Sequence, residues 1–271
     1  MRDEDDFDRI LRGHPPAWAS GWGHDEFGAF VTLAIGEVEQ RFRWIPKGTF
    51  WMGSPASDSE AWEDERPRHE VTLSEGFWLA DTPCTQALWL AVMGTNPSRF
   101  TGSLELPVET VSWDDVQTFL ATLTARFEGS AARLPTEAQW ERACRAGSDE
   151  PRYGELDSIA WYSENSDIQT HEVGQKAANR WGLFDMLGNV WEWCADNWRD
   201  YDERALVDPT HQRRGLERVI RGGGWDSYAP NVRAAYRTRD GPGLRYGLLG
   251  FRLVLSQGGL RQEPAEQPVS E

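Results

Sequence analysis

Arg41-Phe42-Arg43-Trp44-Ile45 alternates polar and apolar side chains, the period of a half-buried strand. Thr49-Phe50-Trp51-Met52 follows after Pro46-Lys47-Gly48, which predicts a strand pair around a Pro/Gly turn. Residues 54–68 read as a polar, acidic loop, and Val71-Thr72-Leu73 opens a further strand. Three stretches then change to the helical period. One starts at Thr85, carries Ala87, Leu88, Leu90, Ala91 and Val92, and stops at Gly94. A second has Ser112 as N-cap with Asp115 three residues on, and its apolar positions Val116, Phe119, Leu120, Leu123 and Phe127 share one face. A third begins at Thr136, with Gln139 completing a capping box, and ends at Gly147. Beyond 148 the pattern gives turns, loops and short strands such as Arg218-Val219-Ile220-Arg221 and Phe251-Arg252-Leu253-Val254. These elements predict an α+β chain with a loop-rich C-terminal half. Residues 1–40 read as an N-terminal extension with a short helix, 41–255 as one domain, and 256–271, rich in Gln, Pro and Glu, as a disordered tail.

Charge narrows the function classes. The 271 residues carry 44 acids against 28 Lys and Arg, a net −16, which argues against a general nucleic-acid binder. No apolar run approaches the roughly 20 residues of a membrane span, so no membrane insertion is expected. Met1-Arg2-Asp3-Glu4-Asp5-Asp6 lacks the chemistry of a secretory signal, and a cytoplasmic setting is the default expectation. Cys84, Cys144 and Cys194 are odd in number and widely spaced, which fits small buried hydrophobes better than disulfides or zinc. The charge is uneven: residues 1–70 hold 15 acids and 8 bases, whereas 211–262 hold 10 Arg and 3 acids. The positive C-terminal stretch points to an acidic partner, unless its arginines are structural.

Several segments together resemble the formylglycine-generating-enzyme-like, or sulfatase-modifying-factor, family. They are residues 45–54, Leu106-Pro107-Val108-Glu109-Thr110-Val111-Ser112-Trp113, residues 133–141, residues 181–193 with Gly188-Asn189-Val190-Trp191-Glu192-Trp193, Arg221-Gly222-Gly223-Gly224-Trp225, and Gly250-Phe251-Arg252. The match runs over 41–255 in order. The resemblance implies a C-type-lectin-like fold with helices flanking short, irregular sheets. It also implies, for the best-known members, two copper-binding cysteines shortly after the Arg-Gly-Gly segment, because Cu(I) needs soft thiolates. Here residues such as Ser227 and Ala229 fill that stretch, so copper and formylglycine chemistry are not expected. An iron-binding branch carries its His ligands in an additional domain that residues 1–40 are too short to form. The family also carries calcium on hard oxygen ligands. By position Asp185 and Glu192 would supply carboxylates and Gly188 and Val190 carbonyls, with Asn165 and Ser166 in part of a second site.

One window has a peculiar composition. Residues 226–249 contain no Lys, Glu, Gln, Met or Trp, although these five types supply 55 of the 271 residues. Chance absence over such a window is roughly one in two hundred. The missing types are those that a pyrimidine-ending codon, randomised at its first two bases, never yields. The permitted types cluster as Asp226-Ser227-Tyr228, Asn231, Thr238-Arg239-Asp240-Gly241, Gly243-Leu244 and Tyr246-Gly247-Leu248-Leu249, between fixed-looking residues such as Arg233, Arg237 and Arg245. This resembles the variable protein of a diversity-generating retroelement, in which a lectin-like scaffold displays varied side chains. Tyr, Ser, Gly and Asn are also what adaptable paratopes favour. The expectation is therefore a non-catalytic display protein whose ligand is an unknown macromolecule, in the first instance a protein. Tyr228 and Tyr246 would be anchors, and Arg239 and Asp240 polar contacts. The competing classes are a cysteine-independent enzyme of the same family acting on a sulfur or peptide substrate, and a regulatory module docked to an enzyme complex.

Overall fold

The computed structural model describes residues 10, 12–127, 130–212 and 216–257. Strands β1 (Gly21–Asp25), β2 (Gly28–Ile35), β3 (Val38–Ile45), β4 (Gly48–Met52), β5 (His69–Leu73) and β6 (Phe77–Ala80) precede two helices, α1 (Gln86–Met93) and α2 (Trp113–Arg126). Then come β7 (Ser130–Arg133), α3 (Glu137–Arg145) and the single turn α4 (Leu156–Ile159). The C-terminal half adds β8 (Trp191–Asn197), β9 (Leu206–Val207), β10 (Arg218–Arg221), β11 (Arg237–Asp240), β12 (Leu249–Gly250) and β13 (Val254–Gln257). They form three sheets, ordered β1-β2-β3-β6-β13-β7, β11-β10-β8-β12 and β4-β5-β9.

The three helices start where their caps place them. Thr85, Ser112 and Thr136 each accept a hydrogen bond from the backbone N–H three residues on, and Asp115 and Gln139 return the bond in full capping boxes. α1 ends at Gly94, which takes the left-handed conformation that glycine adopts freely. The buried face of α2 is Val116, Phe119, Leu120 and Leu123. Phe119 stacks on Trp89 of α1 at 5.1 Å, and both meet the edge of Phe251, which knits the helix pair to the main sheet. A second core surrounds α3, where Trp140 is buried among Ile45, Leu183 and Met186.

Three expectations change. The strands on either side of Pro46-Lys47-Gly48 exist, but they do not pair with each other. β3 lies between β2 and β6, while β4 pairs with β5, so the turn carries the chain from one sheet to another. Within residues 1–40, the stretches 21–25 and 28–35 form a hairpin on the main sheet, and the boundary at 41 falls inside β3. Alternate burial of Ala29, Val31 and Leu33 drives that hairpin onto the core. At the C-terminal end the strand starts at Val254, and Ser256 and Gln257 pair with Ala131 and Ser130; the rest of the expected disordered tail lies outside the described residues.

Candidate binding surface

The window 226–249 hangs from a frame of buried arginines. Arg221 binds Glu141 and the carbonyls of Ala234, Ala235 and Tyr236. Arg233 grips Glu65 with two prongs, at 2.6 and 2.8 Å, and reaches Asp58 at 3.1 Å. Arg237 holds Glu137 at 2.7 and 2.9 Å, with its guanidinium 3.9 Å from the rings of both Trp198 and Tyr201. Arg252 clamps Glu192 through Nε and Nη2. All four arginines are sealed from water. Burial opposes charge, yet Arg145 and Arg221 hold the Glu141 carboxyl below its ordinary range. Such pairs neutralise the window's positive charge inside the fold. Arg233 and Arg237 are therefore structural, which removes their share of the argument for an acidic partner, whereas Arg245 pairs with Asp115 at the surface.

The backbone between these anchors is equally constrained. After β10, Gly222 and Gly223 take φ of 98° and 80°, and a Cβ on Gly222 would lie 3.1 Å from the Met186 carbonyl. The Trp225 N–H donates to the Asn189 carbonyl, and its indole Nε1 donates to the Gly247 carbonyl at 2.8 Å. That bond sets the stretch after Trp225 beside the stretch around Gly247, with the Phe100 ring edge-on to Trp225 at 5.5 Å. The loop from β11 to β12 crosses the start of α2: Asp114 donates to the Pro242 carbonyl, and Arg245 pairs with Asp115 at 2.7 and 2.8 Å.

The permitted residues divide accordingly. Asp226, Tyr228, Arg239, Gly243, Leu244 and Tyr246 are exposed, Tyr228 at 72%. Asn231, Thr238, Asp240, Gly241, Gly247 and Leu248 are half-buried. Two are not surface residues. Ser227 is buried because its hydroxyl accepts from the Gly224 N–H at 2.9 Å and closes the turn, and Leu249 is buried because it pairs with Trp191 in β12. The Trp225–Gly247 bond brings the stretch that carries Asp226 beside the one that carries Tyr246 and Gly247. Thr238, Arg239 and Asp240 remain on edge strand β11, three strands from β12, where Arg239 pairs with Glu217 at 2.9 Å. Glu109 was visible only as part of a motif. It lies buried beneath Gly247, accepts from the Phe100 N–H at 2.8 Å and the Thr110 hydroxyl at 2.6 Å, and burial pushes its carboxyl up.

Several of the residues expected to hold calcium are engaged elsewhere. Both Glu192 oxygens serve Arg252, and Oε2 also accepts from Trp140 at 2.7 Å. The Asn165 amide bonds the Ala160 carbonyl and the Tyr162 N–H, and Ser166 donates to the Trp225 carbonyl. Gly188 and Asn189 lie against the Trp161 backbone, with Val190 buried beside them. Asp185 alone keeps a buried oxygen without a partner, and burial pushes its carboxyl up to about 6. Among the described residues no cluster of three His, Cys, Asp or Glu could hold a metal.

The chain has three cysteines, so absence of cysteine cannot be the reason to set enzymatic chemistry aside. All three are free and buried. Burial pushes Cys84 and Cys194 well above the ordinary thiol range and Cys144 up to about 12, which keeps the reactive thiolate form scarce.

This α+β, C-type-lectin-like architecture, with its buried arginine frame, defines a formylglycine-generating-enzyme-like domain. The chain belongs to that family: residues 35–257 match the sulfatase-modifying factor enzyme 1-like domain. It is 36% identical over 225 residues to a formylglycine-generating enzyme of Streptomyces coelicolor, covering 72% of this chain and 69% of that one. Among solved structures it is similar to Treponema denticola variable protein 1, with a TM-score of 0.76 and 29% identity over 84% of this chain and 99% of that one. It is also similar to PvdO from Pseudomonas aeruginosa, with a TM-score of 0.72 and 25% identity over 88% and 98%. Among the described residues no helix is long and apolar enough to cross a membrane.

Proposed function

We propose that this chain is a non-catalytic binding protein, the variable protein of a diversity-generating retroelement, which presents a diversified patch to a protein ligand. The observation that carries the reading is the division within residues 226–249. Twelve of the fourteen permitted positions reach solvent at least in part, while Arg221, Arg233, Arg237 and Arg252, between and around them, are locked in buried ion pairs and Arg245 pairs with Asp115 at the surface. A rigid scaffold with variable surface side chains is how binding loops are generally mounted. The similarity to Treponema denticola variable protein 1 supports the reading.

A second reading has its own support, since a formylglycine-generating enzyme is 36% identical. On that reading the chain would be a family enzyme that works without a cysteine pair after the Arg-Gly-Gly segment. The buried thiols weigh against a copper-thiolate centre but not against every other chemistry.

The coding DNA separates the two. Display requires pyrimidine-ending codons at the permitted positions, and a near-identical repeat, differing at adenines, beside a reverse-transcriptase gene. Absence of any such repeat would remove the display reading. Oxygen uptake on incubation with thiol-containing peptides would then favour the enzyme.

A further inference from the structure

Backbone strain gathers around Trp225. Thr110 and Asn189 have φ of 61° and 62°; Thr110 donates its N–H to the Tyr246 carbonyl inside the window, and the Asn189 carbonyl accepts from Trp225, the residue just before it. Residues 163–169 form a loop tied to the same place. The Ser163 N–H donates to the Ser227 carbonyl at 3.0 Å, and the Ser166 hydroxyl donates to the Trp225 carbonyl at 2.7 Å. At its tip Asp167 and Ile168 have φ of 52° and 60°. A β-branched residue in the left-handed region is a true outlier, because its side chain crowds the backbone. Ile168 is not repaid by burial, since it is 76% exposed, the most exposed of the large apolar residues among the described ones. Strain of this kind concentrates where a protein holds a ligand contact ready.

We infer that Ile168 is a fixed apolar contact of the binding surface, and that the partner is a protein face combining an apolar depression with lysine or arginine groups. The inference rests on the display reading and deepens it. The loop contains Glu164 and Gln169, types that the window lacks, so on the display reading Ile168 lies outside the varied positions. The basic chemistry of the partner follows from the charge beside it. Glu164, Asp167 and Asp226 are exposed, and among the described residues none of them sits in an ion pair. A fixed contact gives every variant a common docking register, around which the varied side chains select.

Two octapeptides serve as probes, one alternating Lys and Leu and the other Glu and Leu, titrated into the full chain and followed by amide chemical shifts. The Lys-Leu peptide is expected to shift Ile168, Asp226 and Tyr228, and the Glu-Leu peptide to leave them unmoved. Ile168→Gly is expected to weaken Lys-Leu binding at least tenfold with no fall in Tm, because glycine suits that φ. Val207→Ser, at an exposed apolar residue of β9, is the control and should change neither. If Lys-Leu does not bind, binds elsewhere, or binds the glycine variant as tightly as wild type, the inference is overturned. Tyr228→Ala separates the two levels. Weaker binding in that variant alone rejects Ile168 but keeps the displayed patch, whereas binding indifferent to both variants removes support from both.

Discussion

Arg233 and Glu65 stand 168 positions apart in the chain and meet as a two-pronged ion pair from which water is excluded. The pair joins the loop before β5 to the middle of the variable window, and Arg233 also binds the Pro230 carbonyl at 2.7 Å and the Glu60 carbonyl at 2.9 Å. One side chain therefore ties the backbone just after the exposed Tyr228 to the loop before β5. Arg233→Met would leave Glu65 and Asp58 buried without a cation. A loss of about 3–5 kcal/mol is expected, which urea unfolding would register as a lower midpoint. The double variant Arg233→Met/Glu65→Leu should lose less than the single one, because it buries fewer uncompensated charges.

Neighbouring residues in the window should respond in opposite ways. Tyr228 projects into water, so Tyr228→Ser should change stability by no more than about 0.5 kcal/mol. Ser227 is buried and holds the Gly224 N–H, so Ser227→Ala should cost about 1–2 kcal/mol and Ser227→Tyr more, since the turn has no room for a ring. Thermal melts of the three variants decide this. Equal tolerance at 227 and 228 would restore Ser227 to the displayed set.

Much of this arrangement is written locally. Thr85, Ser112 and Thr136 are caps that announce three helices within four residues of sequence, and the window's composition marks the exposed segment without any contact information. What stayed hidden depends on distant partners. Nothing near Arg233 tells that Glu65 will meet it, so the excess of arginine could be read either as a sign of an acidic partner or as structural, and only the contacts show Arg221, Arg233, Arg237 and Arg252 as a buried frame. Whether Pro46-Lys47-Gly48 closes a hairpin or passes between sheets depends on β5 and β6, which compete for the two strands and lie more than twenty residues further on. Ser227 shares its chemistry with displayed serines, and only the Gly224 N–H above it decides otherwise. The strain at Ile168 leaves no trace in sequence, because isoleucine usually signals a strand or a core.

The three thiols offer a direct check on the competing enzymatic reading. Cys84, Cys144 and Cys194 are fully buried, and their thiolates are suppressed. A thiol-reactive disulfide dye at pH 8 should label none of them in the native chain and all three in denaturant. A fast-reacting thiol in native protein, or one copper retained per chain after loading with Cu(I), would revive metal–thiolate chemistry.

Calcium should be dispensable. Glu192 belongs to Arg252 and Trp140, so the ion would have to break a buried, charge-assisted network to gain that ligand. Melting curves in excess EDTA and in millimolar calcium are expected to coincide. A rise in Tm that grows with calcium concentration would show a site built from other donors.

Acidity gives a signed test of one buried carboxylate. Asp81 lies at the end of β6, and burial pushes its carboxyl from 3.8 up to about 6, although Arg43, Arg41 and Arg252 pull the other way. A raised acid holds its proton more tightly in the folded chain than in the unfolded one. Between about pH 4 and 6 the folded state therefore carries more protons, and this group's contribution to stability falls as pH rises through that window. A rise of about two units corresponds to roughly 3 kcal/mol at neutral pH, as an upper figure. Asparagine keeps the oxygen that accepts from Gln40 Nε2 and carries no charge. Asp81→Asn should thus be more stable than wild type by up to about 3 kcal/mol at pH 7.5, with the advantage gone by pH 3.5. Glu141, held low by Arg145 and Arg221, loses its contribution in acid in both proteins and so cancels in the comparison. Urea unfolding at pH 3.5, 5 and 7.5 measures the difference, and a gap that stays constant across that range would mean that the charge on Asp81 is not its cause.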